Sequence, residues 1–176
     1  MIIAFMVGLI ATMIGTLIGG AAGYFRGRIE SILMWATDLV IIIPLLVLAA
    51  VLGRMVDGAN IYVLAGVLGV VVWTGMARLV RGEVLSLRER EFVHAAKAIG
   101  TSNWRIIFRH ILPNCIGTIV VNSTLLIASA ILLETALSYL GFGVRAPESS
   151  LGLLISQNQE AMDMIEIGRA SCRERV

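Results

Sequence analysis

The amino-acid sequence predicts an all-α integral membrane protein, a polytopic helical bundle, and three observations carry that prediction. The mean hydropathy is +0.90. Hydrophobic residues make up 58% of the chain and charged residues only 15%, more apolar than a soluble core of this length requires. The apolar residues also lie in runs about as long as a bilayer is thick, not at the spacing of one helix face. A formal net charge of +2 is too small to point to a nucleic-acid partner, and the cations are grouped as a membrane sorts them.

A helix needs roughly 20 apolar residues to cross about 30 Å of hydrocarbon. Four segments meet that requirement, approximately residues 2–25, 32–53, 61–79 and 114–144. The first is apolar from its start and its charges follow it, whereas a secretory leader carries its charges first. It is expected to remain in the membrane, and Met1 is not expected to be the natural start. Gly15, Gly19 and Gly23 recur every four residues within it, one turn after Ala11. Such a stripe suits close approach of another helix, in the bundle or from another subunit, although glycine is common in membrane helices in any case.

The second segment carries Asp38, roughly 9 to 12 Å along the helix from its cytoplasmic start at about 1.5 Å per residue. An ionisable group at that depth either bonds a neighbouring helix or faces a pathway, and the bond is the simpler expectation. Pro44, one to two turns later, is expected to kink this span. The fourth segment holds Asn122, Ser123, Thr124 and Ser129, polar residues that favour a pathway weakly. Glu134, near its outer end, either lines an external mouth or is merely solvated there. The following "RAPESSLGLLISQNQEAMDMI" reads as polar and re-entrant.

Orientation follows from the loops, because Lys and Arg are retained on the cytoplasmic side. The first and third loops hold nine, Arg26, Arg28, Arg78, Arg81, Arg88, Arg90, Lys97, Arg105 and Arg109, against Arg54 in the second loop and Arg145 after the last span. The long insert between the third and fourth spans therefore faces the cytoplasm. At the far end, "EIGRASCRERV" (166–176) breaks abruptly in character and resembles a translated sequencing adapter, so it is set aside. With Cys172 removed, Cys115 is the remaining thiol and the cysteines say nothing about redox compartment.

The insert, about residues 89–113, is where the chain spends its polar residues. Glu91 to Ile99 is composed to form a helix, which Gly100 is placed to end in a left-handed conformation. Thr101 or Ser102 can cap a second helix through "NWRIIFRHIL", with Pro113 as the breaker before the next span. Ala95, Ala96 and Ala98 give the first helix a face nearly free of side chains, while Trp104, Ile107, Phe108 and Ile111 form an apolar stripe on the second. A small-faced helix of this kind suits a groove in another protein.

"HAAKAIGTSNWRIIFRHILP" resembles the EAA loop of binding-protein-dependent ABC importer permeases. Ala95, Ala96, Gly100, Leu112 and Pro113 match that pattern, while His94 stands in its Glu slot and His110 in its Ile slot. "LLETALSYLGFGV" and "SSLGLLISQ" are similar to the dipeptide, oligopeptide and nickel branch. The resemblance extends from Ile2 to about Gln159. It implies a bundle of the type I ABC importer permease kind in a bacterial or archaeal plasma membrane, with one further span before Met1 and another after "SQNQ". It implies a second permease subunit, two cytoplasmic ATP-binding subunits that use ATP and Mg, and an extracytoplasmic substrate-binding protein. Glu91, His94, Ala95, Ala96, Gly100, Leu112 and Pro113 are then the ATPase-coupling residues, and Asp38, Asn122 and Glu134 the candidate pathway residues.

The chain shows no nucleophile and base pattern, phosphate-binding glycine loop or catalytic carboxylate pair, so it is not expected to be an enzyme or to bind a cofactor itself. His94 and His110 lack Cys or carboxylate partners at ligand spacing, and surface contact or a helix-end hydrogen bond is the expected role, with no metal. Two rival functions remain open. An ion-driven secondary transporter would place ion-binding carboxylates and broken helices near the midplane, and a non-transporting membrane anchor would lack a polar lining. The substrate, whether dipeptide, oligopeptide, nickel or another, is not legible.

Overall fold

The computed structural model describes residues 2–55 and 61–140, together with Gly152, Leu154, Ile155, Asn158 and Gln159. Among the described residues every regular element is helical. The re-entrant stretch is largely outside them, and the 166–176 tail and Ala59 are wholly outside.

Helix α1 (Ile2–Tyr24) packs along α4 (Ile61–Arg88), the most extensive helix pairing among the described residues. The glycine stripe explains why the two lie so close. A Cβ on Gly15 would stand 2.6 Å from Met76 Cβ and 2.9 Å from the carbonyl of Trp73, and one on Gly23 would stand 2.8 Å from Val84 Cβ and 2.9 Å from the carbonyl of Arg81. A Cβ on Gly19 would collide with the carbonyl of Ala77. Of the two partners the stripe suited, the structure supplies the one inside the bundle. Ala11 is buried with Trp73 and Ala77 on the same seam.

The second apolar segment is two helices, α2 (Arg28–Ile42) and α3 (Leu45–Met55), and not the single kinked span expected over 32–53. Pro44 has no N–H to donate and its ring pushes the preceding residue out of the helical region. Ile43 is accordingly extended at φ −78° and ψ 126°, and the carbonyl of Pro44 accepts from Leu48 to begin α3. Among the described residues neither piece has the length to cross a bilayer alone, whereas α1, α4 and the helix over Asn103–Tyr139 are long and apolar enough to do so.

Helix α4 also differs from expectation, running on past 79 to Arg88. Its 28 residues reach about 42 Å, longer than the roughly 30 Å hydrocarbon core. Val80, Val84 and Leu87 recur at helical spacing in the extension, and Val80 and Val84 are fully buried. Arg78, Arg81 and Arg88 thus stand on a helix and not in a loop.

Among the described residues, two apolar cores are larger than the seam of Ala11, Trp73 and Ala77. One joins Ile3 and Val7 of α1, Ala49 of α3, Leu68 of α4, and Leu133 and Leu137 of α7 (Ile116–Tyr139). The other joins Tyr24, Val80 and Val84 to the insert, through Val93, Ala96, Ile106, Ile107 and Ile111. The insert is therefore packed onto the membrane helices and is not a tethered loop.

Candidate functional site

The insert begins with α5 (Glu91–Ala98), whose first residue places a carboxylate at the positive end of the helix. Ile99 caps α5 and Gly100 follows at φ +77°. The amide of Gly100 donates to the carbonyl of Lys97 (3.0 Å), and that of Thr101 to the carbonyl of Ala96 (3.1 Å). This pair of bonds is a Schellman ending, in which the left-handed residue lets the chain reverse and satisfies the last carbonyls. Nothing lies within 4 Å of where a Gly100 Cβ would stand, so the backbone alone demands glycine there.

The second helix starts at α6 (Asn103–Ile106) with Ser102 in the capping position, but its side chain makes no cap hydrogen bond. The helix then widens into a π segment over Ile107–Ile111 and tightens into a 3-10 turn over Leu112–Cys115 before α7. Pro113 was expected to separate the insert from the last span and does not. Because Pro113 cannot donate to a carbonyl one turn back, the ladder changes pitch around it and continues. The Asn114 carboxamide donates to the carbonyl of His110 at 2.6 Å, satisfying one of the groups this disturbs.

The matched residues do not all face the same way. Glu91, His94, Ala95, Ala98 and Pro113 are exposed, and Ile99, at 82% exposed, is the most exposed large apolar residue among the described residues. Ala96, expected on the bare outer face, is buried with Val93 against Ile106 and α4, because three positions apart on α5 puts both on its inner side. The stripe on the second helix splits likewise. Ile107 and Ile111 point inward, while Trp104 and Phe108 stay exposed and stack with centroids 6.0 Å apart. Leu112, half-buried, lines a cavity of about 110 Å³ with Thr16, Gly20 and Phe108, against α1.

The three candidate pathway residues lie in separate settings. Asp38 accepts from Arg78 Nη2 at 2.5 Å, an ion pair from α2 to α4 with both side chains about half exposed. Eight residues earlier on α2, Glu30 accepts from Nε (2.9 Å) and Nη2 (2.5 Å) of Arg81. Those bonds hold the Glu30 carboxyl below the ordinary carboxylate range, against desolvation that raises it. Since the folded value is the lower one, this pair stabilises the chain above the unfolded value and is lost as pH falls through the folded one. Asn122 and Ser129 line an open cleft of about 230 Å³ between α4 and α7, with Gly75, Met76, Leu125 and Leu126. Ser123 and Thr124 lie outside it and donate to their own helix backbone. Glu134 is buried and accepts from Ser138 Oγ at 2.8 Å, one turn along α7.

The ion pair gives α2 its only side-chain hydrogen bonds to α4 besides those of Glu30, among the described residues. Asp38→Asn should lower the amount of chain in the membrane by roughly threefold or more, since an unpaired cation costs about 2.5–3.5 kcal/mol at a helix centre and less where it snorkels. Exchanging the charges, with Asp38→Arg and Arg78→Asp together, should restore the level on an immunoblot of washed membranes. Equal amounts of the single variant and the parent would show that the pair contributes nothing.

Comparison with known proteins decides what kind of chain this is. Residues 15–168 match the family described as "Binding-protein-dependent transport system inner membrane component". The chain belongs to that family. It is 42% identical over 157 residues to the oligopeptide transport system permease protein OppC of Mycobacterium tuberculosis, covering 89% of this chain and 54% of that protein. To OppC of Lactococcus lactis it is 39% identical over 162 residues, 91% of this chain and 55% of that one. To the dipeptide transport system permease protein DppC of Bacillus subtilis it is 41% identical over 149 residues, 85% and 46% respectively. The chain spans about half the length of these relatives. As a member of a family of inner-membrane transport components, it is a multi-pass protein of the plasma membrane.

In this binding-protein-dependent transport component, two residues escaped the sequence reading. Ile99 continues the exposed face of His94, Ala95 and Ala98 at helical spacing, a signal available in the sequence. Tyr24 left no such signal, because Asn103, to which its hydroxyl donates, lies 79 residues further along the chain. Among the described residues no group of three His, Cys, Asp or Glu side chains is placed to hold a metal ion.

Proposed function

We propose that this chain is the membrane-spanning part of a permease subunit in an ATP-driven importer, with peptides as substrate. The observation that carries the reading is the insert itself. A short helix ends at a left-handed glycine, is packed onto α4 through Val93 and Ala96, and presents Glu91, His94, Ala95, Ala98 and Ile99 outward. A rigid, small-faced projection of this kind suits a cleft in a soluble partner. The peptide substrate rests on the names of the relatives, which are peptide transport permeases.

In this reading two cytoplasmic ATP-binding subunits hydrolyse ATP with Mg, a second permease subunit completes the pathway, and an extracytoplasmic binding protein delivers substrate. ATP-driven closure of the soluble subunits moves the inserts, and the membrane helices rearrange around substrate in alternating access. Asn122 and Ser129 supply hydrogen-bonding groups on a cleft wall otherwise made by glycine, methionine and leucine, as a path for peptide groups requires. The Asp38 carboxylate, already neutralised by Arg78, is poorly suited to binding a driving ion, which argues against a secondary transporter.

The reading requires the insert to face the cytoplasm. A cysteine at Ser102 should react with a membrane-impermeant thiol reagent only from the cytoplasmic side, and one at Ala59 only from outside, while buried Cys115 stays unlabelled. Labelling in the reverse pattern would overturn the orientation and the function with it.

A further inference from the structure

Tyr24 gathers four pieces of chain that the sequence keeps far apart. It is the last residue of α1 and is 5% exposed. Its hydroxyl donates to Oδ1 of Asn103, the first residue of α6, at 2.8 Å. Arg88, the last residue of α4, donates from Nη1 to the main-chain carbonyl of Tyr24 at 2.9 Å and holds its guanidinium 5.8 Å from the ring centroid. Lys97 of α5 brings its ammonium to 5.5 Å from the same ring. Phe25 meets the ring edge-on at 5.2 Å and then meets Trp104 at 5.9 Å.

We propose that Tyr24 is the joint through which movement of the insert passes to α1 and α4. This rests on the coupling role given to the insert above, and Tyr24 acts in it as a positioning residue, with no contact to substrate or nucleotide. Most of the insert's attachment is apolar, through Val93, Ala96, Ile106, Ile107 and Ile111. Such packing resists separation but is not directional, so it tolerates sliding and rotation. A hydrogen bond is directional. The bond from Tyr24 to Asn103 is the only side-chain hydrogen bond, among the described residues, between residues 91–113 and α1 or α4. The cations from α4 and α5 converge on the same ring, attracted by its face. Tilting the insert therefore pulls on the ends of α1 and α4 at one point.

The position of Asn103 makes the idea testable without unfolding the chain. Asn103 is exposed, so in Tyr24→Phe water replaces the lost hydroxyl while the ring and its packing remain. Membrane level and melting temperature should stay at the parent's values. In the assembled transporter reconstituted in vesicles, uptake per ATP hydrolysed should fall by roughly two- to thirty-fold, the range of coupling changes from single residues of this kind. Asn103→Ala should do the same, and the double variant should be no worse than either single, because all three remove one interaction. Tyr24→Leu, which also removes the cation contacts, should fall further.

An unchanged ratio of uptake to hydrolysis in Tyr24→Phe and Tyr24→Leu would overturn the proposal. So would uptake and hydrolysis declining together with membrane level, which is the mark of packing alone. Gly100→Val run alongside separates the two readings. If it leaves stimulated hydrolysis and uptake intact, the coupling role of the insert fails and the joint with it. If it abolishes both while the Tyr24 variants keep the parent ratio, the joint alone fails.

Discussion

Gly100→Val is expected to abolish binding-protein-stimulated ATP hydrolysis and uptake while leaving the chain in the membrane at the parent's level. The residue holds φ +77° at the end of α5 with open space where a side chain would go. Its cost is therefore backbone strain, about 1–3 kcal/mol for a non-glycine residue held in the left-handed region, with a β-branched side chain at the upper end. The helical spans are untouched, so the strain is relieved locally, by unwinding the turn that aims α5. Gly100→Asn is the control, since Asn enters the left-handed region more readily than other side chains. It should keep most of the activity. Reconstituted complexes assayed for stimulated hydrolysis and for uptake decide the matter, and full activity in Gly100→Val would remove the turn from the proposed coupling mechanism.

The burial of Ala96 changes which alanine reports on docking. A carboxylate at Ala96 would enter the cluster of Val93, Ile106 and Val84 and disrupt the insert itself, so a loss of activity there would say nothing about a partner. Ala95 is exposed, and substitution there tests the outward face without that ambiguity.

The second large effect is expected in the seam between α1 and α4. Gly19→Val should reduce the chain in the membrane and lower its melting temperature in detergent, by an overpacking cost of about 1–3 kcal/mol or somewhat more. Its Cβ would run into the carbonyl of Ala77 and stand 3.0 Å from Val80 Cβ. A main-chain oxygen inside a helix cannot step aside as a flexible side chain can, so the two helices must separate. Gly82→Ala, on the same α4, is the opposing control, since nothing lies within 4 Å of its Cβ. It should be neutral or stabilising by up to about 1 kcal/mol, the usual gain of alanine over glycine in a helix. Matching losses from both would mean that glycine content, and not close approach, governs this bundle.

Much of the molecule was legible because it depends on local signals. Continuous apolar runs marked α1 and the apolar parts of α4 and α7, and the spacing of Gly100 after two helical turns marked the reversal that the Schellman bonds complete. The extension of α4 was missed because the expectation followed unbroken hydropathy. Val80, Val84 and Leu87 form an amphipathic stripe there, which a hydropathy run reads as a loop with charges in it. Pro113 misled for a related reason. A proline removes one donor, and whether the helix stops or shifts pitch around the gap depends on what surrounds it, here continuous packing of Ile111 and Cys115 on both sides.

By itself the sequence determined that this protein is a helical membrane component, the position of the left-handed turn in its insert, and the family likeness of that insert, all of which rest on residues close together in the chain. Only the tertiary structure decided that the glycine stripe serves α4, that Asp38 pairs with Arg78 and Glu30 with Arg81, that Ala96 faces inward, and that Tyr24 meets Asn103, Arg88 and Lys97. Those facts depend on the rotation of each helix about its own axis and on which helices become neighbours. Periodicity within one segment carries neither, because a stripe specifies a face to be covered and leaves open what covers it.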